Sequence, residues 1–98
     1  MTYRNRKLLD LAEDQACVMC GNQDGTVVAA HSNLLEHGKG RSLKAHDGMH
    51  AWLCHQCHSL YDQGGMLKSE ARDFILTAIS RTYMRLLDQD LIQVRGKR

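Results

Sequence analysis

Apolar and polar residues alternate along this chain in several rhythms, and each predicts a different element. Over residues 5 to 13, Leu8, Leu9 and Ala12 form an apolar stripe at helical spacing, and Asn5 stands where an N-cap belongs, so a short helix is predicted. Thr26-Val27-Val28-Ala29-Ala30-His31 is β-branched and apolar, which predicts a strand; Ala51-Trp52-Leu53 predicts a second, shorter one. Between them, residues 32 to 49 keep no period. Gly38, Gly40 and Gly48 with scattered charges make this a long loop, of the kind that is usually functional or disordered. A helix is predicted from near Cys54 to the terminating pair Gly64-Gly65. A longer one is predicted from Ser69, read as its cap, to Leu87. Phe74, Ile75, Ala78, Ile79, Thr82 and Leu86 share one face of it as a core stripe, with Arg72, Arg81 and Arg85 off that face. Asp90-Leu91-Ile92-Gln93-Val94 reads as a final edge strand.

Length then limits the picture. The 98 residues suffice for one domain, residues 1–98, with a thin core. Domains this small usually need a metal or disulfides as a staple. The N-terminus leads into an amphipathic segment, not an apolar leader, and no apolar run approaches a membrane span. The expectation is a soluble, cytoplasmic protein, in the host cell if the chain is phage-encoded. In a reducing compartment cysteines serve more often as thiolate ligands than as disulfides. Two disulfides in an exported protein are the alternative, which the spacing and the missing leader disfavour.

Charge adds a modest signal. The formal net charge is +2 and the pI about 8.4, below that of a strongly nucleic-acid-binding domain. Lys39, Arg41 and Lys44, in the loop after His31, are candidate phosphate contacts. Arg4, Arg6 and Lys7 at one end and Arg95, Lys97 and Arg98 at the other read as solvated charge.

Candidate chemistry changes the picture most. Cys17-Val-Met-Cys20 and Cys54-His-Gln-Cys57 use every cysteine present. Zinc favours four soft ligands in a tetrahedron, and two such pairs supply them. Gly21 lets the first turn close around an ion, and a helix starting at Cys54 stabilises thiolate charge. With no open position, that zinc would be structural. His58 follows Cys57, and helix neighbours point about 100° apart, so His58 faces away from the zinc. Asp62 lies one turn on, on the same face, and an imidazole with a carboxylate can hold one divalent ion. His31 ends a strand of small apolar residues, where a polar ring needs a reason. The order knuckle, strand histidine, return strand, helix histidine predicts a treble clef.

Ala30-His31, a loop, then Leu53-Cys54-x-x-Cys57-His58 resembles the HNH endonucleases of the ββα-metal (His-Me finger) class. More narrowly, it is similar to small nucleases carried by phages and prophages. The resemblance covers roughly residues 15 to 65. It implies an α+β fold: a zinc-stapled treble-clef, or ββα-metal, core flanked by the short N-terminal helix and the long C-terminal helix at about residues 69–87. It also implies a metal-dependent endonuclease hydrolysing phosphodiester bonds in DNA, including branched or single-stranded DNA. By position, His31 matches the general base. His58 matches the helix ligand of a catalytic magnesium or manganese ion, with Asp62 as second ligand. Asp47, ranked ahead of His50, stands nearest the family's middle asparagine. Asn33 lies close to His31 but outside that segment, and Ala30 stands where many members carry a metal ligand. The rival expectation is a non-catalytic four-cysteine zinc module that binds nucleic acid or a protein. His55 is expected in solvent, Trp52 in the core, and His37 and His46 in the loop without a role.

Overall fold

The computed structural model describes residues 2–96; Lys97 and Arg98, read above as solvated charge, lie outside the described residues. Helix α1, Arg6–Asp10, starts as its sequence predicts: the Asn5 side chain accepts from the Leu8 N–H at 3.1 Å. It stops earlier than the apolar stripe, and the turns that follow end at Asp14, which takes a left-handed φ of 64°.

Strands β1, Val28–His31, and β2, His50–Leu53, pair antiparallel with Ala29 opposite Trp52 and His31 opposite His50. Thr26 is not in the strand. Its N–H and hydroxyl both bond to Asp24 Oδ1, which turns the chain just before β1. The outer edge of β2 is covered on both sides of its backbone. Trp52 N–H donates to Thr82 Oγ1 at 3.0 Å, and Trp52 O accepts from Val18 N–H at 3.0 Å.

Helix α2, His55–Asp62, starts beyond Cys54 and ends before Gly64, whose φ of 74° halts it. Helix α3, Lys68–Asp88, begins one residue before the predicted cap at Ser69. Leu67 is the boundary residue, because Glu70 Oε1 accepts its N–H at 3.0 Å. Ile75, Ala78, Thr82 and Leu86 are buried, with Phe74 and Ile79 packed beside them, so the predicted stripe is the core face. The predicted edge strand at 90–94 does not form. Asp90 turns left-handed (φ 57°), its N–H reaches Leu87 O at 3.1 Å, and Leu91 N–H reaches Leu86 O at 2.9 Å. This is a Schellman ending, and it folds Leu91 and Ile92 back onto the core instead of into a ladder.

The result is a small α+β fold with Trp52 and Leu53 fully buried between the helices and the first cysteine turn. Each such side chain contributes about 1.5–3 kcal/mol by burial. The long loop has structure of its own: a 3-10 turn at Leu35–His37, a left-handed Gly38, and a narrow turn closed between Gly40 and Leu43. Among the described residues no helix is long and apolar enough to cross a membrane.

Candidate functional site

The first cysteine pair sits on a knuckle that the backbone builds locally. Cys17 N–H bonds to Asn22 O at 2.8 Å, Gly21 N–H to Cys17 O at 3.0 Å, and Gly21 has the left-handed φ of 81° that the turn requires. Two arginines then grip it from α3: Arg81 donates to Val18 O at 3.0 Å and Arg85 to Ala16 O at 2.7 Å. Off the core face, Arg81 stays exposed and Arg85 half-buried, yet each reaches a carbonyl of the knuckle. The second pair opens α2. All four sulfurs lie within 4.8 Å of one another, and among the described residues no other group of three or more His, Cys, Asp or Glu ligand atoms is so close.

These four cysteines fit a zinc ion. A tetrahedron with Zn–S bonds of about 2.3 Å has edges of about 3.8 Å, and Cys20 Sγ stands 3.6 Å from Cys54 Sγ. The electrostatics agree. Burial pushes the Cys17 thiol up, but N–H groups of Cys54, Cys20 and Met19 outweigh it and bring the pKa to about 6. Burial, reinforced by the neighbouring sulfurs of Cys17, Cys20 and Cys54, pushes the Cys57 thiol far above the usual range. Sulfurs this close cannot share negative charge without a cation between them, and a dication removes the conflict.

A second cluster forms where β1 ends. Asp47, although in the long loop, is only 3% exposed. Its Oδ1 accepts from His31 Nε2 at 2.7 Å and from Arg4 Nη1 at 3.1 Å, and its Oδ2 from Asn5 N–H at 2.7 Å. Burial works against ionisation, but the bonds from His31 and Asn5 and the charges of His31 and Arg4 hold the carboxyl below its ordinary range. An ionised carboxylate only accepts, so His31 Nε2 carries a proton and Nδ1 is the ring nitrogen turned away from Asp47. His50, across the sheet, donates from Nδ1 to the backbone carbonyl of Asp47 at 2.7 Å and so supports the aspartate from below. Its Nε2 is buried with no hydrogen-bond partner among the described residues.

On α2, His58 Nε2 and Asp62 Oδ2 meet at 2.8 Å, as helical spacing requires. They make two ligands, bonded to each other, and among the described residues no third from His, Cys, Asp or Glu groups with them. Asn33 joins this pair to the end of β1: its N–H donates to Tyr61 Oη at 2.8 Å and its side chain to Asp62 Oδ1 at 3.3 Å. Asn33 follows His31 by two residues, at most about 7 Å of chain. Proximity to His31 was its only mark in the sequence.

Of the three loop cations, Lys44 lines a cavity of about 270 Å³ beside His31, with Arg6, Asp10 and Glu13 also on its wall. Lys39, Arg41, His58 and Asp62 do not line it. Arg4 is more than surface charge: although exposed, its guanidinium bonds inward to Asp47 and to the carbonyls of Lys44 and Ala45. Trp52 is core and His55 is exposed, as expected. His37 Nδ1 pairs with Ser32 Oγ at 2.7 Å, and His46 stacks on Tyr3. Compared with family models, with curated proteins and with solved structures, the chain matches none.

Proposed function

We propose that this chain is a metal-dependent endonuclease of the HNH type, built on a treble-clef core, that hydrolyses phosphodiester bonds in DNA. The observation that carries the reading is the His31–Asp47 pair at 2.7 Å, which turns the other ring nitrogen away from the carboxylate on a residue that lines one cavity with Lys44. His31 Nδ1 takes the proton of an attacking water, and Asp47 holds the ring and stabilises the imidazolium that results. Lys44 offers its charge to the phosphate. His58 and Asp62 would hold a magnesium or manganese ion, with Asn33 orienting the carboxylate. Such an ion, when bound, stabilises charge on the phosphate and the leaving oxygen. Two protein donors suit an ion that keeps most of its water. The four-cysteine zinc would do no chemistry; it would fix the hairpin against α2.

His31→Ala should lower the cutting rate of supercoiled DNA by about 10²–10⁴-fold, the usual contribution of a general base, while zinc content and circular dichroism stay unchanged. Cutting at the parental rate would remove His31 from the base role. One observation favours the rival, a non-catalytic zinc module binding nucleic acid or protein: His58 and Asp62 already satisfy one another. Metal titration separates the two readings. Two ions per chain support the nuclease, and one ion that stays one in His58→Ala supports the module.

A further inference from the structure

We propose that Arg4 is a positioning residue for His31, acting through Asp47, so that the segment before α1 sets which imidazole nitrogen carries the proton. This rests on the base role given to His31 above. The geometry joins three separate parts of the chain. Arg4 Nη1 reaches Asp47 Oδ1 at 3.1 Å, the same oxygen that His31 Nε2 holds at 2.7 Å. Its Nη2 reaches Lys44 O at 2.9 Å, and Nη1 also reaches Ala45 O, so one guanidinium clamps the loop on both sides of Ala45, which is fully buried. The backbone tightens the clamp: Asn5 N–H takes Asp47 Oδ2 at 2.7 Å, and Asp47 N–H donates to Tyr3 O at 3.1 Å. Tyr3 stacks on His46 with ring centroids 4.9 Å apart.

The physical consequence follows from charge. A buried carboxylate whose only cationic partner is an imidazole draws a second proton onto that ring, and an imidazolium has no lone pair to offer. Arg4 supplies compensating charge from the other side of the carboxylate, so the imidazole is not its sole cationic partner. The other ionisable groups facing His31 are His50 on β2, Lys44 on the loop, and Arg6, Asp10 and Glu13 on or beside α1. None of these is hydrogen-bonded to the Asp47 carboxylate, so none replaces Arg4. Arg4 also fixes where the carboxylate stands, which keeps Nε2 rather than Nδ1 facing it.

The test reads the ring directly, without substrate. Long-range proton–nitrogen correlation spectra of the zinc-loaded, nitrogen-15-labelled chain near pH 7.5 report the protonation of each His31 nitrogen. The parent should show a single neutral tautomer with the proton on Nε2. Arg4→Ala should show mixed tautomers or a doubly protonated ring, while the Trp52 indole signal and the zinc content stay parental. Should Arg4→Ala lose the native spectrum, Arg4→Gln replaces it, since the amide keeps donors for the loop carbonyls but carries no charge. A His31 pattern identical to the parent in the folded variant overturns the proposal. A parent that shows the Nε2 tautomer yet cuts no DNA would instead count against the nuclease reading alone.

Discussion

A histidine is a base only through a nitrogen without a proton, and its neighbours decide which nitrogen that is. At His31 the decision comes from a carboxylate 16 residues away and a guanidinium 43 residues from that carboxylate. No local pattern announces such a pairing, which is why Arg4 reads in the sequence as one more terminal charge. The cysteines are the opposite case. Their spacing encodes a turn geometry, so Cys17, Cys20, Cys54 and Cys57 were legible as a zinc set before any fold was known. His50 yields a prediction at this scale. Burial holds it below its ordinary value of 6.5, so the unfolded chain takes up a proton that the folded chain refuses. The linkage sign then makes stability fall as pH drops below about 6.5, by up to ~1.4 kcal/mol per pH unit, with no effect above it. Thermal melts from pH 8 to 5 should show the parent losing more than His50→Gln; parallel curves would remove His50 from that role.

Elements were legible where one period ran long enough. The α3 stripe spans more than three turns, and its buried positions are those the spacing selects. The ends were less so, because capping is made by single hydrogen bonds. Glu70 moves the start to Leu67, and Asp90 turns an apparent β-run into a helix stop. Asp90 adopts a left-handed conformation that costs a side chain energy and glycine none. Asp90→Gly should therefore raise unfolding stability in urea by up to about 1 kcal/mol; a loss would mean the Asp90 side chain contributes something else. Thr82 links α3 to β2 through one hydroxyl, which accepts from Trp52 N–H and donates to Ala78 O. Thr82→Val keeps the shape and leaves that buried N–H unpaired, at a cost of about 1–3 kcal/mol. An equilibrium denaturation midpoint equal to the parent's would show the bond to be dispensable.

At the scale of the molecule, a two-stranded sheet cannot hold three helices by burial alone. The knuckle, α2 and the return strand share the four sulfurs, and α3 reaches the same knuckle through Arg81 and Arg85. Removing zinc with a strong chelator should therefore unfold the whole chain in one transition, seen as loss of helical circular dichroism, with recovery on adding zinc back. Retained helicity after complete removal would make the ion an accessory. The sequence disclosed the four-cysteine set but not its link to α3, because two arginines on the polar side of a helix look the same whether they meet water or a carbonyl.

Trp52 is the sole tryptophan, fully buried, and its peptide group joins the knuckle at Val18 to the helix at Thr82. Nature has thus set a fluorophore at the crossing of the cysteine knuckle, the return strand and the long helix. One emission maximum reports them all, and a red shift marks the moment when water enters the seam.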